Sequence, residues 1–579
     1  MRHTPRPASS LRPSGARASP RGGRPAQLGT LVPLIPVAAV LGGAVCYPAL
    51  VLAWYGLSRD ALPSLANLRA VLADPDTWRV LANTLAVSAW TTVLAGTLGT
   101  GLALLVGRTD LPARSVFQGL LILPYLVPPF IGAMALLYVL GPTGLLNQAW
   151  MALSGSADPL VGIYGSGGIV LAMTLYKYPI AYLTVLAGLD RVDPALEEAA
   201  RSAGARPWRT VRDVTLPLVA PSIAAGMTLV FLSAMAEFGT PAILGFPAKY
   251  FVLATKIYAT VLDFDRPYNL HLAAALSLLL VAVAGAVLAL QRWWFGERGF
   301  ALMTGAGRAP VVPLGRARPW CGAAVACFLV LTSALPLAGV LLTALTRAYG
   351  RPLSVNNLGV ENFRLVLFGL PAVWRAARNS LLLAASAATV CVLLALAVAY
   401  LRERRRVRGG GLLETLVTLP FAVPGTVLAL AVVLAFLPPV LGLRLYNTLW
   451  IILVAYVARF LALALRPVAA ALVQLHPALE EAARASGASL WRSLADVTVP
   501  LLRSGLLAAW LLAAVPALTE LTLSVILWSA GNETIGVMAF NLHEEGKVLL
   551  SAALASLIVA VSLAGHFLAR YLGGSPRDA

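Results

Sequence analysis

Charged residues make up only 12% of this 579-residue sequence, against 59% hydrophobic. A soluble domain carries roughly 25% charged residues, so the deficit excludes a soluble globular chain and indicates a membrane protein. Lysine is nearly absent. Lys177, Lys249, Lys256 and Lys547 are the whole set, and none precedes Ser or Thr. That excludes a Gly-x-x-x-x-Gly-Lys-Ser/Thr loop, so the chain carries no phosphate-binding loop of its own. Cys46, Cys321, Cys327 and Cys391 sit in apolar stretches, and Cys321 and Cys327 are too far apart for a CxxC motif. No disulfide framework is expected. His3, His271, His476, His543 and His566 are scattered and form no metal-ligand cluster. No serine, histidine and acid constellation suggests catalysis, so an enzyme is not expected.

Arginine is what the chain has. Lysine and arginine total 44 against 25 acids, a net charge of +19. That balance invites a nucleic-acid reading, but the arginines fall in short clusters between apolar stretches rather than on one soluble domain. No nucleic-acid partner is expected; basic clusters flanking spans are what membrane insertion requires. Residues 1–28 combine Arg2, Arg6, Arg12, Arg17, Arg21 and Arg24 with Pro, Ser and Gly and no acid, which predicts a disordered tail. Leu28 to Ser58 is an uncharged run longer than a signal-peptide core and predicts a retained first span.

A bilayer crossing needs about 20 apolar residues. Runs of that kind fall near 29–56, 81–106, 116–140, 166–189, 218–245 and 271–291, then near 319–346, 379–401, 412–437, 447–473, 503–528 and 548–569. The expected fold is therefore all-α and integral to the membrane, with about twelve transmembrane helices in two six-span halves. On this count the arginine-rich loops share one side, which the positive-inside rule makes the cytoplasm, with both termini inside.

The two halves are copies. Asp193-Pro194-Ala195-Leu196-Glu197-Glu198-Ala199-Ala200-Arg201 returns as His476-Pro477-Ala478-Leu479-Glu480-Glu481-Ala482-Ala483-Arg484, at a constant offset of 283 residues that also carries Gly204 to Gly487 and Pro217 to Pro500. Leu123-Pro124-Tyr125-Leu126-Val127-Pro128 mirrors Leu419-Pro420-Phe421-Ala422-Val423-Pro424, and Asn83-Thr84-Leu85 mirrors Asn379-Ser380-Leu381. Both repeated loops must face the cytoplasm, so the repeats are parallel, related by an axis along the membrane normal. The expected organisation is a tail (1–28), a first half (29–291) with loop 191–217, a linker (292–318), a second half (319–572) with loop 474–500, and a C-terminal tail (573–579).

Each loop carries helix signals in order. Asp193 can cap, Pro194 suits the first helical position, and Glu197 and Glu198 favour the positive end of the helix dipole. Gly204 stands where a left-handed turn would end the helix, a second short helix can start near Pro207, and Pro217 should break or kink the chain as it re-enters the membrane.

The pattern Glu-Ala-Ala, three residues, Gly, nine residues, an aliphatic, one residue, Leu-Pro resembles the signature loop of binding-protein-dependent ABC importer permeases. Glu198-Ala199-Ala200, Gly204, Val214 and Leu216-Pro217 carry it in the first half. Glu481-Ala482-Ala483, Gly487, Val497 and Val499-Pro500 carry it in the second, with Val499 in place of Leu. The resemblance implies a coupling helix in each loop: Glu197, Glu198, Ala199, Ala200, Gly204 and Pro217 in one, Glu480, Glu481, Ala482, Ala483, Gly487 and Pro500 in the other. It further implies two cytoplasmic ATPase subunits that hydrolyse ATP, an extracytoplasmic substrate-binding protein, a bacterial inner membrane, and no cofactor bound by this chain. A single fused chain would supply both permease halves.

Ionisable residues inside spans are costly and often functional. Glu237 and Glu520 share the offset of 283, while Lys177 and Arg459 are one position out of register. Two readings stay open: the four line a shared pathway, or they form structural ion pairs at span ends. The runs Glu237-Phe238-Gly239-Thr240-Pro241-Ala242-Ile243-Leu244-Gly245, Glu520-Leu521-Thr522-Leu523-Ser524 and Glu533-Thr534-Ile535-Gly536-Val537 resemble the fused iron(III) permeases, which implies ferric iron as substrate. Thiamine, phosphonate or polyamine permeases share the architecture. A secondary transporter is the alternative from another class, but it would not need two docking loops.

Overall fold

A computed structural model describes residues 34–295, 312–351, 354–405, 407 and 410–572. The two tails and most of the linker fall outside the described residues. Among these, eleven helices are long and apolar enough to cross a membrane, or up to twelve with one bent pair counted as a span. Spans 1 to 6 are Val37–Gly56, Pro75–Arg108, Pro129–Ser154, Ser166–Leu189, Pro207–Met235 and Asn269–Gln291. Spans 7 to 12 are Gly315–Ala344, Pro371–Arg404, the pair Gly410–Ala422 with Gly425–Phe436, Leu449–Gln474, Leu490–Leu518 and Val548–Leu568. The only sheet among the described residues is a two-stranded hairpin, Ser58–Arg59 with Leu62–Pro63. Its turn residues Asp60 and Ala61 both have positive φ, as a tight hairpin requires.

The halves exchange their first spans. Val37, Leu41, Ala44 and Val45 of span 1 pack into a core with Leu383, Ala387 and Cys391 of span 8. Val325 and Leu329 of span 7 pack with Ala95, Leu102 and Tyr178 of the first half. Two helices run through the middle. Every residue from Phe130 to Val139 is buried, and so is every residue from Gly425 to Phe436. Burial on every side, rather than apolarity, marks these two as interior helices and not lipid-facing ones.

Two expectations fail, for one reason each. The runs 116–140 and 412–437 are not single continuous helices. Each is broken inside the repeated Leu-Pro-x-x-Val-Pro motif: Leu123–Leu126 stops before Pro129–Leu140, and Gly410–Ala422 meets Gly425–Phe436 at 109°. The residue before a proline is pushed out of the helical region, and proline has no N–H to offer. Val127 and Pro128, each followed by a proline, accordingly sit at ψ 129 and ψ 131, and Pro424 is likewise extended at ψ 137.

Pro217 and Pro500, by contrast, break nothing. Helix runs from Pro207 to Met235 and from Leu490 to Leu518, passing through widened π-turns at Val211–Thr215 and Leu494–Thr498 just before each proline. The widened turn absorbs the extra ring where a regular helix would clash. Span 5 therefore begins within the repeated loop rather than at residue 218, and it ends at Met235, before Glu237.

Candidate functional site

The repeated loops are built as the residues suggested up to the glycine. Asp193 accepts from the Ala195 N–H at 3.0 Å, and His476 Nδ1 takes the same role for Ala478 at 3.2 Å. The helices are Pro194–Ser202 and Ala478–Ala485. Gly204 and Gly487 follow at φ +87 and +89, and a Cβ at either would meet no atom within 4 Å, so backbone conformation alone demands glycine. Ala205 N–H returns to Ala200 O and Ala488 N–H to Ala483 O, each at 3.0 Å, closing the same terminal turn in both copies. Glu198 and Glu481 face outward, with Leu196, Trp208, Leu479 and Trp491 exposed beside them.

Adjacent helical residues point about 100° apart, and the paired glutamates divide accordingly. Glu197 and Glu480 are buried and face the membrane domain, whereas Glu198 and Glu481 are exposed. Glu197 Oε1 accepts from Arg108 Nε at 3.0 Å and from Thr215 Oγ1 at 2.8 Å. Glu480 accepts from Tyr400 Oη at 3.1 Å and Thr498 Oγ1 at 3.2 Å, and Arg404 Nε lies 3.4 Å away. Sequence reasoning missed Arg108, Arg404, Thr215, Thr498 and Tyr400. Thr215 and Thr498 stand at the offset of 283, and Arg108 and Arg404 at 296, the offset that relates Asn83 to Asn379. That second register was the available signal.

Deeper in the fold, Glu237 and Glu520 occupy matched non-helical breaks after spans 5 and 11. Each break presses on the Leu-Pro-x-x-Val-Pro break of its own half. A Cβ on Gly239 would lie 2.6 Å from Phe130 Cβ, and one on Gly425 would lie 2.8 Å from Thr522 Cγ2. The basic partners differ. Lys177 Nζ sits 2.9 Å from Glu237 Oε2 and 2.9 Å from Ser233 Oγ, a buried ion pair. Arg459 instead donates to three carbonyls at the end of the broken helix, Pro420 at 3.3 Å, Phe421 at 3.0 Å and Val423 at 2.6 Å, with its guanidinium 5.3 Å from the Phe421 ring centre. It satisfies backbone groups that the break leaves open, as burial within a membrane requires. Glu520 accepts from the backbone N–H groups of Leu523, at 3.0 Å, and Thr522. Arg459 and Glu520 lie within electrostatic reach of each other and of Glu237, which is paired with Lys177, so the four residues share one charged neighbourhood. Among the described residues no group of three or more His, Cys, Asp or Glu could hold a metal ion.

The sequence profile of the binding-protein-dependent transport system inner membrane components matches residues 99–295 and again 371–577. A ferric transport system permease protein, FbpB, of Actinobacillus pleuropneumoniae is 27% identical over 84% of this chain and 70% of its own length. A putative ferric transport system permease protein of Haemophilus influenzae is 28% identical over 81% of this chain and 75% of its own. A probable molybdenum ABC transporter permease protein of Haloferax volcanii is 33% identical over 39% of this chain and 78% of its own, so it matches about one half. Molybdenum had no counterpart among the readings of the residues.

Proposed function

Since this chain belongs to the family of binding-protein-dependent transport system inner membrane components, we propose that it supplies both permease halves of an ATP-driven importer from one fused polypeptide. Two cytoplasmic ATPase subunits dock on loops 191–217 and 474–500, and an extracytoplasmic binding protein delivers the substrate to the opposite face. The observation that carries this reading is the duplicated loop: one outward glutamate, one left-handed glycine and one exposed tryptophan recur in the same geometry. Two such handles fit two copies of one kind of partner. With no phosphate-binding loop, the chain leaves ATP hydrolysis to those partners.

Ferric iron is the substrate this reading favours, because the two relatives named for it align along most of the chain, whereas the molybdenum relative aligns with one half. Hard ferric iron suits oxygen ligands, and selection would rest mainly with the binding protein. The test is uptake into proteoliposomes holding chain and ATPase, with binding protein outside and ATP inside. Iron should enter and molybdate should not. Uptake driven by an ion gradient without ATP would replace this reading with a secondary transporter. Orientation is tested by cysteines placed at Ala205 and Ala488 in a background lacking the native four: an impermeant external reagent should leave both unlabelled, and strong labelling would invert the topology.

A further inference from the structure

The coupling helices are held to the membrane domain by very little. Of Pro194–Ser202 only Pro194 and Glu197 are buried, and of Ala478–Ala485 only Glu480. Helices this short are marginal by themselves, and neither has an apolar face packed on the bundle. Apart from chain connectivity, one buried carboxylate fastens each helix to the rest. In both halves that carboxylate reaches the cytoplasmic end of the second span of its own half. Arg108 is the last residue of span 2, and Arg404 is the last of span 8. Each arginine also donates to the carbonyl end of the preceding span of the loop, to Leu189 at 2.8 Å and to Leu472 at 3.1 Å.

The far end of the same helix carries a second fastening. Asn83 donates to Phe251 O at 3.0 Å, and Thr84 Oγ1 accepts from the Leu253 N–H at 2.8 Å. At the 296-residue register, Asn379 donates to Gly531 O and Glu533 O, each at 3.1 Å, and Ser380 Oγ accepts from the Ile535 N–H at 2.8 Å. The gripped segments are joined to the breaks that hold Glu237 and Glu520 through short helices, Gly239–Gly245 and Ser524–Leu527, and in the second half a Cβ on Gly536 would lie 3.0 Å from Glu520 O. From Asn83 to Arg108 the helix rises about 38 Å, the depth of a bilayer core and more. Its middle is seated on span 4, where a Cβ on Gly99 would lie 2.7 Å from Tyr178 O.

We infer that spans 2 and 8 are struts that carry displacement of the coupling helices to the outer segments beside Glu237 and Glu520, with Arg108–Glu197–Thr215 and Arg404–Glu480–Thr498 as the cytoplasmic joints. The joint residues are positioning residues; none touches ATP or substrate. This rests on the importer reading above, and its test separates the two. The complex of chain, ATPase and binding protein is prepared with Glu197→Gln, Glu480→Gln and both together, which keep size and lose charge. The readouts are ATPase capture and substrate taken up per ATP hydrolysed. In the double variant the ATPase should stay bound while uptake per ATP falls about tenfold, the size of a typical coupling between sites. Exchanging the pair, Arg108→Glu with Glu197→Arg, should recover part of what Arg108→Glu alone loses. Wild-type uptake per ATP in the double variant would overturn the strut. So would loss of ATPase capture, because the carboxylates would then shape the docking face rather than transmit. A wild-type chain that neither captures the ATPase nor transports would fail the importer reading instead.

Discussion

One duplication produced both the coupling loops and the charge group inside the membrane, yet the two regions have diverged to different degrees. At the loops most of the geometry is carried across: a side-chain acceptor before the helix, the inward glutamate with its threonine, the outward glutamate and the glycine near φ +90. Inside, only the carboxylates are. Lys177 pairs with Glu237, whereas Arg459 has turned to the carbonyls of the broken helix and left Glu520 to backbone N–H groups. On the importer reading proposed above, the loop surface fits one kind of partner twice and is constrained to stay the same. Groups that face each other across one axis need only be complementary. The first half holds a closed side-chain pair, and the second holds its carboxylate on backbone N–H groups.

That contrast breaks most sharply at Lys177. Removing one member of a buried ion pair strands the other, at a cost of about 3–5 kcal/mol. Lys177→Met should therefore lower the melting temperature of the purified protein substantially, and adding Glu237→Leu should recover much of it. An unchanged melting curve for Lys177→Met would mean the pair contributes nothing. In the second half the loss lies in backbone satisfaction. Arg459→Met removes the one nitrogen, Nη1, that serves Pro420, Phe421 and Val423, so it should cost about 1–3 kcal/mol by the same measurement. A loss in the second half as large as in the first, and rescued by removing Glu520, would show the two sites to be equivalent after all.

The loops were legible in the sequence because their signals are local: a capping residue, a proline at the first turn, a glycine at the end. The two broken helices were not, because a run of apolar residues looks the same whether straight or bent by 109°. The information was present in Val127-Pro128 and Val423-Pro424, but proline within a span is common enough that hydropathy overrode it. The buried joints were hidden for another reason. Glu197 and Glu198 are equally acidic neighbours, and only the tertiary placement of Arg108 decides which one turns inward.

The carboxylates themselves test whether the charge group works as one. Glu237→Gln with Glu520→Gln should reduce uptake about tenfold, beyond the product of the single effects, since charges that act on one another are not additive. The complex should still assemble. Wild-type uptake in the double variant would assign both residues to structure alone. At the loops the opposite outcome is expected, equality. Gly204→Ala and Gly487→Ala each force a side chain into a left-handed backbone, costing about 1–2 kcal/mol, with no steric contact to add to it. Capture of the ATPase should weaken to the same degree in both; a severalfold difference between them would mean that the two handles are not interchangeable.

The smallest effect separates the outer fastenings. In the second half, Glu533 of the gripped segment lies beside Asn379 and is bound by Arg375 Nε of span 8 at 3.3 Å and the Gly531 N–H at 3.0 Å; in the first half the charges are reversed, with Asp76 of span 2 paired to Lys256 of the gripped segment. Burial pushes the Glu533 carboxyl up, but the N–H groups and Arg375 outweigh it and hold the carboxyl below the ordinary glutamate range. A group lowered on folding adds stability above its unfolded value, and that stability fades as pH falls through the folded one. Melting of the wild type should thus decline on the acid side more steeply than that of Glu533→Gln, the two curves converging at low pH. A separation that stays constant across pH would show that the carboxyl's contribution is packing and not charge.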